Sequence, residues 1–284
     1  MQPTCQIRGA EPFRASTLAI HSRSVERVIQ TMRAQLSTPL SLETMAEIAC
    51  LSPFHFNRIF RSIAGIPPGE FHPALRLDAA KRLLLTTPLS VTDVCFDLGY
   101  ASLGTFTTRF KQLVGLSPIQ LRQLSDGFTP PSLETISERC REANSLAPIH
   151  GGEVTGTITV TDAFHGLIFA GLFPKPIPQY RPVACTTLPA PGRFRIGPVP
   201  DGRYYLLAAA VPLSDRALTY LLPDAKLLVG IAEQPVLVRD GRASAPVTIA
   251  LRPLDVTDPP ILGVFPSLLR TPAAVRVLGQ STAK

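Results

Sequence analysis

The sequence has no tryptophan and only three methionines, and its five cysteines stand singly along 284 residues. No two cysteines form a C-x-x-C pair, and the five histidines do not cluster with them at zinc-site spacing. An odd number of dispersed thiols is typical of a reducing compartment and not of a disulfide framework. We therefore expect a cytoplasmic protein with no metal site.

Long hydrophobic runs are also missing. The longest ones, such as Tyr204–Val211, fall far short of the ~20 apolar residues that cross a bilayer. Residues 1–14 contain no continuous apolar stretch, so we expect neither a signal peptide nor a membrane partner.

Signatures of catalysis are absent as well. The sequence contains no G-x-S-x-G, H-E-x-x-H, G-x-x-x-x-G-K-[ST] or G-x-G-x-x-G motif. A cysteine-based alkyl-transfer domain needs an activated cysteine beside a histidine, whereas Cys185 has no adjacent base. The sequence therefore predicts a protein that is not an enzyme, with no catalytic residues and no cofactor.

Charge is sparse, at 17% of the residues, and its formal balance is +7. Residues 1–126 carry 13 basic and 9 acidic residues, and the remainder carries 15 and 12, so the halves differ little (+4 and +3). A positive balance favours a polyanionic partner, but its even spread does not assign one.

Proline divides the chain in two. Nine of the 29 prolines precede residue 127 and twenty follow it. Because proline limits helices and is confined to the edges of sheets, we expect a helical first part and a strand-rich second part. Asp126-Gly127 and Pro130-Pro131 break the chain between them, and residues 125–150 are predicted to be a linker.

Two similar helical units occupy the first part. Apolar residues at helical spacing predict a helix over 24–36, and helix-turn-helix units follow at about 41–63 and 90–112. A connecting helix over about 70–85 joins the units, and Ser90 and Asp93 form a predicted capping box. The pattern F-x-x-x-F-[RK]-x-x-x-G-[IL]-x-P occurs in both units, which indicates an internal repeat.

The second helix of the first unit has a polar face that suits a DNA major groove. Phe56, Ile59 and Phe60 are predicted to face the core. Arginine recognises guanine and asparagine recognises adenine through paired hydrogen bonds, and an aromatic side chain packs on thymine methyls. The candidate base-reading residues of this helix are therefore Phe54, Asn57, Arg58 and Arg61.

The corresponding face of the second unit is nearly uncharged. We expect it to contribute phosphate contacts and little direct base readout. Cys50 and Cys95, in or beside the first helices of the two units, are predicted to be buried thiols. The candidate phosphate contacts of the two units are Ser41, Ser52, Ser90, Arg109 and Lys111.

Residues 24–122 resemble the DNA-binding domain of the AraC/XylS family of transcription regulators. The resemblance is carried by motifs in both units and the connecting helix: Leu51-Ser52-Pro53, Arg58-Ile59-Phe60-Arg61, Gly65-Ile66-Pro67-Pro68, Ala80-Lys81-Arg82-Leu83-Leu84, Gly99-Tyr100, Arg109-Phe110-Lys111 and Gly115-Leu116-Ser117-Pro118. The sequence departs from the family pattern at Thr108, where a basic residue is usual, and in carrying this domain first.

The resemblance implies seven helices and two recognition helices in successive major-groove segments. It implies double-stranded DNA and RNA polymerase as partners, a tail over 1–23 and a DNA-binding domain over 24–124. It also extends base reading to four residues of the second unit, Leu103, Gly104, Thr107 and Thr108.

Alternating apolar residues and the turn dipeptides Asp201-Gly202 and Asp240-Gly241 predict seven or eight strands over 151–284. We expect these strands to form an antiparallel β-sandwich or barrel. Gly192–Ile196 and Pro200–Leu206 resemble the strand–turn–strand of transthyretin-like or carboxypeptidase-regulatory-like sandwiches, which implies a non-catalytic module for binding or packing. Phe194 and Tyr204 are predicted to be core aromatics.

The sequence thus predicts a multi-domain α plus β protein with an N-terminal all-α tandem helix-turn-helix domain and a C-terminal antiparallel β-sandwich. The predicted function is that of a sequence-specific transcription regulator. In this hypothesis the β domain senses a small-molecule effector or a partner. The alternative is that the β domain is a purely structural or dimerisation module.

Overall fold

The structure, a computed structural model, describes residues 10–127, 138, 151–214, 217–222, 226–243 and 245–264. Helices fill the first range and strands dominate those after residue 150, as the proline distribution predicts. Most of the predicted linker and residues 265–284 of the predicted β domain lie outside the described residues.

Seven helices occupy residues 10–127, the number that the resemblance implies. They are α1 (Ala10–Ala34), α2 (Leu42–Ala49), α3 (Pro53–Ala64), α4 (Pro68–Thr86), α5 (Val91–Asp97), α6 (Leu103–Val114) and α7 (Pro118–Gly127). The two predicted helix-turn-helix units are α2–α3 and α5–α6, and α4 connects them.

Helix α1 begins at Ala10, earlier than the start at residue 24 that the apolar spacing predicts, so residues 10–23 of the predicted tail are helical. Amphipathic spacing identifies only the part of a helix that packs on a core. Pro12 falls in the first turn of α1, where backbone N–H groups have no intrahelical partner, so this proline does not prevent the helix from starting there.

Phenylalanines from both repeats form the centre of the helical core. Phe56, Phe60, Phe106 and Phe110 are all fully buried. The rings of Phe56 and Phe60 meet edge to face at 5.5 Å, and those of Phe106 and Phe110 lie 5.6 Å apart. The duplicated F-x-x-x-F pattern therefore anchors α3 and α6 in the same way.

The turns of the two units also correspond. Cys50 ends α2 in the left-handed backbone region with φ 56°, and Gly99 takes φ 71° at the equivalent place after α5. The prediction of a buried thiol is confirmed for Cys95 and wrong for Cys50, whose side chain is exposed. Cys50 lies just beyond the helix, where its side chain no longer follows the buried face of α2.

The second domain contains nine strands among the described residues. They are β1 (Gly152–Val160), β2 (Gly166–Phe173), β3 (Ala184–Leu188), β4 (Gly192–Val199), β5 (Gly202–Pro212), β6 (Leu228–Ile231), β7 (Val236–Arg239), β8 (Arg242–Ala243) and β9 (Val247–Pro253). A short helix, α8 (Ala217–Leu221), lies between β5 and β6.

The strands form a continuous, barrel-like sheet in the order β3-β2-β5-β6-β9-β1-β4, to which β7 and β8 are attached through β5. The end strands β3 and β4 approach each other, so the sheet curls on itself. The predicted all-antiparallel arrangement is wrong at one place, because β1 pairs with β9 in parallel. Alternation along a strand shows which face is buried, but it does not specify the neighbouring strand or its direction.

The interior of this sheet holds the predicted core aromatics. Phe194 and Tyr204 are buried there, and the Tyr204 hydroxyl donates to the carbonyl of Pro200 at 3.1 Å. The two predicted turns meet as well, because the Asp201 carboxylate accepts hydrogen bonds from the backbone N–H groups of Asp240 and Gly241.

Strand β2 is buried along its whole length and so does not alternate. One face of β2, β5 and β6 packs on the sheet interior. The other face is covered by two segments, 174–183 and 252–264, which we call the cover segments. This double burial explains why Gly166–Phe173 is a continuous apolar run in the sequence.

The cover segments also contact the helical domain. Ile177, Leu262 and Val264 are buried in the helical core. Lys81 on α4, with no exposed surface, donates from Nζ to the carbonyl of Ile261 at 2.6 Å. The cover segments therefore lie between the sheet and the helices and pack against both.

Candidate nucleic-acid interface

Helix α3 presents the residues predicted to read bases in the first unit. Ser52 is its N-cap and Pro53 its first helical residue, so the helix starts where the sequence predicts. Phe56 and Phe60 are buried on one side, whereas Phe54, Asn57, Arg58 and Arg61 are exposed on the other. Phe54 is 84% exposed, so its ring is available for packing against a partner.

A histidine of the same helix lies beside the Arg58 guanidinium. Nη2 of Arg58 lies 3.2 Å from Nδ1 of His55, one turn earlier on α3. The His55 ring in turn meets the His21 ring of α1 edge to face, with centroids 5.5 Å apart. The i, i+3 spacing of His55 and Arg58 was the available signal, since residues three apart share a helix face.

Helix α6 presents the second predicted set. Ser102 is its N-cap and accepts a hydrogen bond from the Thr105 N–H at 3.3 Å. Of the four residues predicted to read bases on α6, Leu103, Gly104 and Thr108 are exposed, whereas Thr107 is half-buried. At Gly104 a β carbon would meet nothing within 4 Å, so the α6 surface is open there to a close partner.

The predicted phosphate contacts differ in how free their polar atoms are. The hydroxyls of Ser41 and Ser90 cap α2 and α5 by accepting from Thr44 N–H and Asp93 N–H, each at 3.1 Å. The capping box predicted for Ser90 is confirmed, and it brings the Asp93 carboxylate to the site predicted to meet phosphate. That carboxylate disfavours an anion at the start of α5.

The three other predicted phosphate contacts are sterically available. Ser52 makes no side-chain cap hydrogen bond and is exposed. Arg109 and Lys111 are exposed on α6, so that positive charge lies beside the second set of candidate base-reading residues. Together with Arg58 and Arg61, these side chains give both helices a basic border.

Two arginines that the sequence did not single out as structural hold the second unit in place. Arg76 of α4 donates to the carbonyl of Leu98, which ends α5, and its guanidinium lies 4.5 Å from the centroid of the Tyr100 ring. Arg122 of α7 donates to the carbonyls of Leu84 and Leu89. The partners of both arginines are far away in sequence, so spacing alone does not reveal them.

In the part of the chain that the structure describes, no three His, Cys, Asp or Glu side chains come together as metal ligands. Cys95 is buried, and burial raises the pKa of its thiol, which keeps it protonated. Within the same ranges, no helix combines the length and the hydropathy needed to cross a bilayer.

Comparison with known proteins identifies the family. A family model described as "Helix-turn-helix domain" matches residues 45–124. AarP of Providencia stuartii, an HTH-type transcriptional activator, is 33% identical over 105 residues, which cover 37% of this chain and 77% of AarP. AdaA of Bacillus subtilis, a bifunctional transcriptional activator and DNA repair enzyme, is 33% identical over 104 residues, 37% of this chain and 49% of AdaA.

A solved structure of a regulator from Chromobacterium violaceum with an AraC-type DNA-binding domain is also similar, at 24% identity and a TM-score of 0.36, covering 37% of this chain and 95% of that one. The chain spans about half the length of AdaA but most of AarP. The relatives are mostly transcription regulators. With its tandem helix-turn-helix units and its similarity to AarP, the chain belongs to the AraC family of DNA-binding transcription regulators.

Proposed function

We propose that this protein is a sequence-specific regulator that reads two successive major-groove segments of double-stranded DNA through α3 and α6. The observation that carries the proposal is the outward placement of Asn57, Arg58 and Arg61 on a helix whose opposite face packs into the core through Phe56 and Phe60. These side chains match the hydrogen-bonding edges of adenine and guanine. Binding to RNA polymerase and a cytoplasmic location are expectations of the same proposal.

Recognition is uneven between the two helices in this proposal. Helix α3 carries the charged and amide side chains that distinguish bases, whereas α6 offers Thr108, a half-buried Thr107 and the flat surface at Gly104. We therefore assign most of the base discrimination to α3. The role of α6 is to add phosphate contacts through Arg109 and Lys111, and to add shape complementarity.

For the β domain we favour a sensing role over a purely structural or dimerisation role. The supporting observation is that its cover segments touch the ends of both recognition helices. The backbone N–H of Tyr180 donates to the carbonyl of Leu113 at 2.6 Å, near the end of α6. Pro176 lies beside Gly65, which ends α3. The resemblance of β4–β5 to transthyretin-like modules stays a prediction.

The proposal is tested by selecting bound sequences from a random double-stranded DNA library with the full chain. The selected DNA and a scrambled duplex of the same composition are then compared by fluorescence anisotropy at several salt concentrations. We expect an enriched motif with two parts one helical turn apart. Equal affinity for the selected and scrambled duplexes would contradict sequence-specific reading and leave only electrostatic binding.

A further inference from the structure

A cavity lies between the outer face of the sheet and the cover segments. Its floor consists of side chains from three adjacent strands, including Phe169, Ala209 and Val229, which stand directly opposite one another in the ladder. Ala209 occupies the centre of this row, between two larger side chains. The small side chain of Ala209 leaves a hollow in this apolar surface.

The lining of the cavity indicates the chemistry of its occupant. Phe173, Leu207, Ile231 and several prolines of the cover segments surround the hollow. Arg252 and Asp258 lie at its edge, but the two groups form a paired salt bridge, Nη2 to Oδ1 at 2.6 Å and Nη1 to Oδ2 at 2.7 Å. Because each charge of this salt bridge is already neutralised by the other, neither residue offers a partner to a charged ligand.

The size of the cavity limits the ligand. Its volume is about 90 Å³, well above the ~10–15 Å³ that one water needs, so the cavity suits a small molecule of about one ring that extends to the open rim. Tyr180 and Ile231 line the cavity and are each about half exposed, at 51% and 44%. The hollow is therefore accessible from solvent.

The wall of this cavity is connected to the DNA-reading helices. Ile261 lines the cavity with its side chain, while its carbonyl accepts the hydrogen bond from buried Lys81 on α4. Tyr180 also lines the cavity, and its N–H donates to Leu113 of α6. Tyr180 takes φ 57°, a left-handed backbone that is strained for a residue with a side chain and persists only where surrounding contacts enforce it.

We propose that this cavity binds a small, uncharged, mainly hydrocarbon molecule, such as a single substituted ring, and that its occupancy is coupled through Tyr180 to the end of α6 and through Ile261 to Lys81 on α4. The ligand site is inferred from the geometry of the β domain alone. Its effect on transcription rests on the proposed DNA-binding function, so the two are tested separately.

Ligand binding is measured on the full chain with 4-fluorotoluene as the probe, followed by its ¹⁹F NMR signal. We expect saturable binding and displacement by unlabelled toluene. The substitution Ala209→Leu fills the hollow and is expected to weaken binding at least tenfold. Ala250→Leu makes the same change on the exposed side of β9 and is expected to bind as the parent does.

A second variant covers the case in which Ala209→Leu impairs folding. Ile231→Trp places a large side chain at the exposed rim of the cavity, where the sheet core need not repack, and is also expected to weaken binding at least tenfold. No saturable binding by the parent, or equal binding by both filled variants in their folded form, would overturn the site.

Coupling is measured without DNA by amide hydrogen exchange. With saturating 4-fluorotoluene we expect exchange at Tyr180 and in the last turn of α6 to slow at least threefold, while exchange in β1 is unchanged. Binding without a change in α6 would overturn the coupling and leave the ligand site intact. Binding with coupling but no preference for any selected DNA would contradict the proposed function and not the cavity.

Discussion

Gly99 lies so close to Ser37 that a β carbon on Gly99 would be 2.0 Å from the carbonyl oxygen of Ser37. This contact joins the turn of the second helix-turn-helix unit to the segment that follows α1. Gly99 also has φ 71°, in the left-handed region. Two separate reasons thus require glycine at this position, and together they fix how the second unit sits on the first helix.

Replacing Gly99 by alanine is therefore expected to destabilise the protein by about 3 kcal/mol or more, the sum of backbone strain and steric overlap. The free energy of unfolding is measured by urea titration. Gly65→Ala is the matched control, because Gly65 has a similar φ of 75° but its added β carbon would lie 3.9 Å from the nearest neighbour, Cβ of Pro176. It should lose only about 1–2 kcal/mol, and equal losses in the two variants would contradict the role of the Ser37 contact.

The repeat makes the opposite prediction for Cys50, which holds the equivalent position to Gly99. A cysteine with φ 56° is strained, so Cys50→Gly is expected to raise the free energy of unfolding by about 0.5–1 kcal/mol. Cys50→Ala removes the thiol but keeps the β carbon, and it should give no such gain. The three proteins are compared by urea titration in reducing buffer, and a gain shared by both variants would point to the thiol instead of the backbone.

Arg58→Ala is expected to reduce discrimination between the selected duplex and a scrambled one by about 1–3 kcal/mol, while much of the non-specific affinity remains. In the proposed function Arg58 would read a base, whereas other basic residues would contact phosphates. Fluorescence anisotropy at two salt concentrations separates these effects. Arg193→Ala, at an exposed arginine on β4, is the control. If the Arg58→Ala variant discriminates between the two duplexes as well as the parent does, Arg58 does not read a base.

Lys81 predicts a pH dependence of stability. Burial lowers the pKa of Lys81 from 10.5 to about 8 in the folded protein. Between about pH 8 and 10.5 the unfolded chain therefore holds a proton that the folded chain has released, so the contribution of Lys81 to stability rises with pH in that window. The full rise is about 3 kcal/mol.

This contribution is measured by comparing the parent with Lys81→Met from pH 7.5 to 10.5. We expect the difference in the free energy of unfolding to shift in favour of the parent as the pH rises. Lys175→Met, at a lysine whose side chain is half exposed and paired with Glu70, controls for the loss of one positive charge. Parallel curves for the parent and Lys81→Met would show that Lys81 is not buried against the cover segment.

Much of the candidate site was predictable because it depends on local periodicity. The spacing of Phe56 and Phe60 assigns one side of α3 to the core, which leaves Asn57, Arg58 and Arg61 outside, as the structure shows. The capping box at Ser90 was predictable for the same reason, since its two partners are three residues apart. The burial of Arg76 against Tyr100 was not, because these residues approach only after α4 and α5 have packed.

The amino-acid order alone determined the two helical repeats, their apolar faces, their caps and the strand-forming second half, because each depends on interactions between residues a few positions apart. Only the tertiary structure decided the parallel pairing of β1 with β9, the curling of the sheet and the passage of the cover segments between sheet and helices. Those features join residues up to 180 positions apart, as Lys81 and Ile261 are. Such contacts are selected by the packing of the whole chain, and no local pattern in the sequence encodes them.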